Sequence, residues 1–253
     1  MYRTNPLEEV LCQLKFPPIL RIESELPTAF QDEISAEYPG FQEGPTSPQM
    51  NLPPALANIF VGQLMGPGSR EFHFISPDTM WKVVLNREFI ALSTSRYKRW
   101  EEFTARLEKA FSVLKSQYKF PIFFTRIGLR YKNLIRRSAF GGQKEPWSKL
   151  LSPHILGELS DPNVAPNVTL AARQIVILLD DRGGQVRLNH GLVVPVQGGE
   201  ICYSIDIDLF TEIKTEVENG LDILKGFNRQ AGRLFRWCIT EYLHNALKPG
   251  DAV

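Results

Sequence analysis

Residues 123–135 read FFTRIGLRYKNLI, and this stretch decides the fold. Its apolar residues Ile127, Leu129 and Tyr131 share one parity, and basic residues occupy the other. Alternation with a period of two predicts a strand that buries one face and presents a polar face on the other side. The stretch follows Pro121, and the element order that precedes this proline begins again here.

Each half of the chain gives the same predicted order of strand, helix, three strands and helix. The first half gives a strand over 9–16, a short helix over 28–38, strands over 71–76, 80–85 and 89–95, and a helix over 98–118. The second half gives a strand over 123–135, a short helix from residue 146, strands over 171–179, 185–190 and 201–210, and a helix over 219–247. The residues do not match between the halves, so the repeat is one of element order.

This order predicts an α+β protein made of two tandem strand-helix-three-strand-helix units, over residues 1–120 and 121–253, in one continuous structural domain. Neither unit can cover its own sheet, so we expect one mainly antiparallel sheet with long helices packed on one face and the other face open. Duplicated TATA-binding-protein-like and helix-grip arrangements are analogous shapes, and such an analogy does not fix function.

Composition and cysteine usage predict a cytoplasmic protein. The 253 residues carry 29 Lys+Arg against 28 Asp+Glu, and this balance gives the chain no global field for nucleic acid or anionic lipid. The first residues lack the apolar core of a signal peptide, and the longest strongly apolar run, 175–179, is far shorter than a membrane span. The three scattered cysteines, Cys12, Cys202 and Cys238, suit a reducing compartment.

The candidate site combines basic and acidic residues on the polar parity of three predicted strands. Residues 124–137 hold five basic residues and no acid, and Gly128 leaves open space between two of the arginines. The strand over 201–210 carries two aspartates on its polar parity, and a third strand adds one arginine. If the apolar parities all meet the helices, one sheet face carries what we call the Arg/Asp cluster: Arg126, Arg130, Lys132, Arg187, Asp206 and Asp208.

Three interpretations of the Arg/Asp cluster stay open. It can be a set of cross-strand ion pairs on a solvated face, which needs no ligand. It can be a polar groove that binds an anionic small molecule, with a phosphate or carboxylate held by bidentate arginines. Asp206 and Asp208 can also share a divalent cation, but the sequence shows no third ligand, so we predict no metal.

A basic stripe on the last predicted helix is a weaker candidate for nucleic acid. Its residues are Lys225, Arg229, Arg233 and Arg236. The same stripe is typical of the solvated side of an amphipathic helix, and nearby acidic residues weaken its field. Binding of nucleic acid is therefore an unfavoured prediction.

Sequence motifs of catalysis are missing from the chain. It has no Walker loop, GxGxxG, GxSxG or HExxH motif, and its four histidines are dispersed. We therefore predict no catalytic residue and no cofactor. The Pro/Gly-rich loop over 39–68 carries apolar residues, so it either packs on its own domain or docks a partner or a second copy.

Four stretches together carry a resemblance to a known family. They are VLCQLKFPPIL at 10–20, ALST at 91–94, RIGLRYKN at 126–133 and IDID at 205–208. The chain resembles a sporadically distributed family of uncharacterised bacterial proteins of about this length. The resemblance implies a bacterial cytosolic protein, and it supplies neither a reaction nor catalytic residues.

These observations together predict a non-enzymatic cytosolic binding or interaction protein that uses the polar sheet face and the 39–68 loop, with a homodimer or a protein partner in view. The alternative is an enzyme or sensor for a phosphorylated small molecule or nucleotide at the Arg/Asp cluster. Nucleic-acid binding through the last helix is the weaker alternative.

Overall fold

The computed structural model describes residues 2–44, 70–179, 183–194 and 199–250. They form both strands and helices. The strands are β1 (Leu7–Lys15), β2 (Gly40–Glu43), β3 (Phe72–Ile75), β4 (Trp81–Leu85), β5 (Phe89–Thr94), β6 (Phe123–Phe124), β7 (Arg126–Ile135), β8 (Ala172–Leu178), β9 (Gly184–Val193), β10 (Cys202–Thr211) and β11 (Thr215–Glu216).

The helices range from single turns to two long segments. They are α1 (Leu20–Ser24), α2 (Thr28–Ile34), α3 (Trp100–Gln117), α4 (Trp147–Leu150), α5 (Pro153–Leu156), α6 (Gly220–Cys238) and α7 (Glu241–Ala246). Short 3-10 turns cover Arg137–Phe140, Gly157–Ser160, Ala165–Asn167 and Val217–Asn219. No helix in the described part of the chain combines the length and the apolar character that a bilayer span requires.

One nine-stranded sheet organises the molecule, in the order β2-β3-β4-β5-β1-β7-β10-β9-β8. Each strand in this order is antiparallel to its neighbours. The sheet and its helices confirm the predicted α+β class with a mainly antiparallel sheet. At the centre, β1 pairs with both β5 and β7.

The two long helices, α3 and α6, lie against the apolar side of the sheet. The ring of Phe103 on α3 lies 6.0 Å from the ring of Trp81 on β4, centroid to centroid. On α6, Asn228 accepts a hydrogen bond from the phenol of Tyr131 on β7. The apolar residues of β1, β7, β9 and β10 are buried beneath these helices in one core. We call the opposite side of the sheet the polar sheet face.

The single predicted helix over 219–247 is wrong, because α6 ends at Cys238 and α7 begins at Glu241. Between them Ile239 is extended and forms an isolated antiparallel bridge with Leu151. Thr240 then caps α7, since its side chain accepts a hydrogen bond from the Leu243 amide at 3.3 Å. A backbone pairing from a distant segment thus interrupts a helical pattern that is continuous in the sequence.

Two further expectations change in the structure. The predicted strand over 123–135 is divided at Thr125, because β6 leaves the main sheet and pairs with β11. Residues 40–43, placed in the predicted 39–68 loop, form the edge strand β2, where Phe41 packs against Phe72 and Phe74. The remainder of that loop from residue 45 lies outside the described residues.

Candidate functional site

The strand register brings the six residues of the Arg/Asp cluster together on the polar sheet face. Arg130 on β7 lies opposite Asp208 on β10, and Asp208 lies opposite Arg187 on β9. Asp206 lies opposite Lys132. Because side chains at alternate positions of adjacent strands point to the same side, these charges share one surface.

This surface is buried, which corrects the expectation of a solvated face. Asp206 is only 1% exposed, and the Arg126 side chain is 11% exposed. Phe210, on the polar parity of β10, is 4% exposed. Charges in such surroundings interact more strongly than they do in water, and an unpaired one is costly.

Arg130 and Asp206 form a bidentate pair. The Arg130 Nε and Nη2 atoms donate to the two carboxylate oxygens of Asp206 at 2.7 and 2.6 Å. Two parallel charge-assisted hydrogen bonds satisfy both oxygens and fix the guanidinium plane. This pair is complete in itself, so it forms the rigid part of the cluster.

Asp208 is held more loosely, by two arginines that share one of its oxygens. Arg126 Nη2 lies 3.3 Å and Arg187 Nη1 lies 3.4 Å from Asp208 Oδ2. Burial raises the pKa of the Asp208 carboxyl, and the charges of Arg126 and Arg130 offset part of that rise. The carboxylate therefore divides one negative charge between two guanidinium groups.

Phe210 supports both of these arginines from below. The guanidinium carbons of Arg126 and Arg187 lie 5.0 and 5.1 Å from the centre of its ring. Such cation–π contacts hold the groups in place without using their N–H donors. Arg126 also donates to the side-chain oxygen of Gln13 at 3.0 Å.

The space beside Gly128 is occupied by the side chain of Arg126. A Cβ atom at Gly128 would lie 2.4 Å from Arg126 Nη1, so the missing side chain allows the guanidinium to fold back across β7. The open space expected between two arginines is therefore occupied by the guanidinium group of Arg126.

Arg187 and Lys132 keep donors that no described residue uses. Arg187 is 22% exposed in its side chain, and its only hydrogen bond among the described residues is the long one to Asp208. Lys132 has no hydrogen bond or ion pair within the described ranges. Both side chains are partly exposed, so their free donors are accessible from solvent.

The basic stripe of α6 lies on the other side of the sheet from the Arg/Asp cluster. Lys225, Arg229 and Arg233 are exposed, and they form no ion pair with any residue that the structure describes. Arg236 differs, because it binds the carboxylate of Glu241 and donates to the carbonyl of Ile239. The stripe thus offers three cations rather than four.

The cysteines and the metal-ligating residues add no second chemistry to this surface. Cys12, Cys202 and Cys238 are free and buried, and burial raises the pKa of each thiol, to about 12 for Cys238. A protonated thiol is a poor nucleophile. Across the described ranges, no three histidine, cysteine or acidic side chains are grouped as a metal ion would need.

Phe210 and Gln13 are the members of the site that the sequence did not single out. The signal for Phe210 was its parity, because it places a large apolar ring among the polar residues of β10. Gln13 gave a weaker signal, since a glutamine on the polar side of β1 is unremarkable.

Comparisons with family models, curated proteins and solved structures find no match to this chain.

Proposed function

We propose that this protein is a non-enzymatic binding protein of the bacterial cytoplasm that holds an anionic small molecule on its polar sheet face. The observation that carries the proposal is the free hydrogen-bonding capacity of Arg187 beside Arg126. Both arginines are held in place by Phe210, and they share one carboxylate oxygen. Such preorganised guanidinium groups suit a phosphate or a carboxylate.

The charge balance of the cluster supports an anion rather than a cation. Arg130 and Asp206 neutralise each other, and Glu9 lies opposite Lys132, which leaves Arg126 and Arg187 against the carboxylate of Asp208. The surplus is positive, and burial strengthens its attraction for a negative ligand. Recruitment of a metal to Asp208 would meet this surplus, so we do not propose it.

The alternative remains an enzyme or sensor for a phosphorylated small molecule or nucleotide at the same Arg/Asp cluster. Arginines stabilise transferring phosphoryl groups, and Asp208 is a carboxylate placed among them. Turnover of a phosphate ester that is lost with Asp208→Asn would favour this alternative over simple binding.

Calorimetric titration with inorganic phosphate and with pyrophosphate, at low ionic strength, tests the binding proposal. Arg187→Ala should weaken binding at least about tenfold, since it removes a guanidinium from the anion. Arg21→Ala is the matched control, because Arg21 is an exposed arginine on α1, away from the cluster, that forms an ion pair with Glu25. Wild-type protein that binds neither anion, or equal affinity in Arg187→Ala and the wild type, would overturn the proposal.

A second copy of the chain is the partner that the edge of the sheet favours. Among the described residues β8 has a sheet neighbour on one side only, and Ile175, Val176 and Leu178 on this strand are exposed. A long apolar edge strand is a template for pairing with another strand. We propose a homodimer through β8.

The order of the strands supports the two tandem units of the predicted fold. Outward from the centre the sheet reads β1-β5-β4-β3 on one side and β7-β10-β9-β8 on the other, so the first strand of each predicted unit lies innermost. Both units would belong to one continuous domain, since β1 and β7 pair directly. We also propose membership of the bacterial family that the chain resembles.

Nucleic-acid binding through α6 stays the weaker alternative. The three exposed cations of α6 support it, and the exposed acid Asp222 on the same helix weakens their field. Affinity for DNA or RNA that is unchanged in Lys225→Ala/Arg229→Ala/Arg233→Ala would contradict it.

A further inference from the structure

A cavity lies on the helix side of the sheet, away from the Arg/Asp cluster. Its volume is about 780 Å³, and it opens between the start of α3 and the middle of α6, above β7. We call it the helix-side cavity. It lies within the size range of small-molecule sites, roughly 300 to 1,000 Å³. Its lining includes Tyr97, Trp100, Tyr131, Asn133, Asn228 and Phe235.

Aromatic rings make up much of the wall of the helix-side cavity. The rings of Tyr97 and Tyr131 meet edge to face with their centroids 5.8 Å apart, and Trp100 stacks on Phe103 behind them. Ring contacts of this kind hold the walls rigid, and such walls fit a flat ligand. The shape of the cavity therefore favours a planar molecule.

Asn228 offers a hydrogen-bond donor to this space. Its Oδ1 atom accepts from the Tyr131 hydroxyl at 2.7 Å and from the Tyr97 hydroxyl at 3.5 Å. Burial raises the pKa of both phenols, so both remain protonated donors at neutral pH. These bonds fix the orientation of the amide, and its Nδ2 atom has no partner among the described residues.

Asn133 offers the complementary acceptor. Its Nδ2 atom donates to the carbonyl of Ile205 at 3.2 Å, and this bond fixes the amide. Its Oδ1 atom has no hydrogen bond to any described residue. The cavity thus presents one amide donor and one amide acceptor from side chains that are already held in place.

We propose that the helix-side cavity binds the base of a mononucleotide. Nucleobases are planar and carry both donors and acceptors on their edges, and the free amide atoms of Asn228 and Asn133 supply one partner of each kind. Lys98 and Arg99 at the start of α3 line the same cavity, are exposed, and form no ion pair within the described residues. They outnumber Glu101, the acidic residue of the same lining, and supply the positive charge that a nucleotide phosphate requires. This proposal does not depend on anion binding at the Arg/Asp cluster.

Two glycines of α6 provide a matched pair of cavity-filling variants. Gly232 lines the helix-side cavity, and Gly226 lines a different cavity of about 350 Å³ beside Arg229. A Cβ atom at either position meets nothing within 4 Å. Leucine also favours a helix more than glycine does, so neither substitution should unfold α6.

The experiment is calorimetric titration of the intact protein with AMP, GMP, CMP and UMP. We expect at least one of them to bind with a dissociation constant below about 1 mM. Gly232→Leu should abolish this binding, and Gly226→Leu should leave it unchanged. Asn228→Asp keeps the acceptor for both phenols but loses the donor and adds a negative charge, so affinity should fall at least about tenfold.

Arg187→Ala separates the two sites, because it weakens phosphate binding at the Arg/Asp cluster, and the nucleotide binding that remains in this variant should be lost when Gly232→Leu is added. The proposal is overturned if none of the four nucleotides binds to Arg187→Ala, or if Arg187→Ala/Gly232→Leu binds them as well as Arg187→Ala does. Loss of binding in Gly226→Leu would also overturn it, since the nucleotide would then occupy another surface.

Discussion

Arg130 and Asp206 form a buried ion pair with two guanidinium contacts shorter than 3 Å. Their side chains are 12% and 1% exposed. Arg130→Met should lower the free energy of unfolding by about 3 to 5 kcal/mol, because it leaves a buried carboxylate without a partner. Urea denaturation measures this loss. Arg130→Met/Asp206→Leu should recover part of it, since both buried charges are then gone.

The control for this prediction is Arg21→Met. Arg21 and Glu25 form an exposed pair, and such pairs contribute less than about 1 kcal/mol. If Arg130→Met destabilises the protein no more than Arg21→Met does, the central pair has no structural role.

Gly128→Ala should weaken phosphate binding while leaving the fold intact. The added methyl group would collide with the Arg126 guanidinium and displace it from Phe210 and Gln13. Because that guanidinium ends a flexible side chain, the free energy of unfolding should change by less than about 1 kcal/mol. Affinity for phosphate should fall several-fold in calorimetry.

Gly226→Ala on α6 is the control for Gly128→Ala, since it adds the same methyl group on the helix side. Equal phosphate affinity in Gly128→Ala and the wild type would show that anion binding does not require the position of the Arg126 guanidinium over Gly128.

The free energy of unfolding should decrease as the pH is lowered, because the unfolded chain protonates His190 before the folded chain does. Burial, with smaller contributions from Arg173 and His154, lowers the pKa of His190 from 6.5 to about 4. Between these values the unfolded chain binds a proton that the folded chain does not. The free energy of unfolding is therefore complete above pH 6.5, and about 2 to 3 kcal/mol of it is lost as the pH falls to 4.

His190→Gln isolates this contribution, because glutamine keeps a hydrogen-bonding group near the Tyr203 hydroxyl, which lies 2.7 Å from His190 Nδ1. Urea denaturation at a series of pH values should give a shallower slope for the variant between pH 6.5 and 4. Parallel slopes would exclude His190 as the source. Other carboxyl groups titrate in both proteins and cancel in the comparison.

The edge of β8 should control self-association. Val176→Lys and Leu178→Lys place a charge on a strand whose free edge would otherwise pair with a second copy. We expect a dimer of the wild type to become a monomer in analytical ultracentrifugation. Ile122→Lys, at another highly exposed apolar residue, should not change the association state.

A wild-type protein that stays monomeric at high concentration would rule out the β8 dimer. A dimer that persists in both lysine variants would place the contact on another surface.

The Arg/Asp cluster could be predicted from the sequence because strand parity is local. Arg130 and Asp208 each alternate with apolar neighbours, and this pattern alone places them on the side away from the core. Their burial could not be predicted, since it involves packing by Phe210 and Gln13 and the position of the Arg126 side chain over Gly128. These contacts join strands that are distant in the sequence.

The end of α6 and the helix-side cavity depended on distant contacts in the same way. Ile239 leaves the helix because it pairs with Leu151, and the capping residue Thr240 is a weak local sign of that break. Asn228 and Asn133 come from different elements, so they line one cavity only in the folded molecule. Gly232 is one of several glycines in α6, so its presence did not mark the position of the cavity.

The central place of β1 has a consequence for synthesis on the ribosome. β1 leaves the exit tunnel before either of its partners, β5 and β7, has been made. A nascent chain in which the residues before α3 have emerged can form the five-strand part β2-β3-β4-β5-β1 but still has an unpaired edge on β1. Only the emergence of residues 126–135 covers that edge, so a pause in translation before this point would leave the newborn chain most dependent on chaperones.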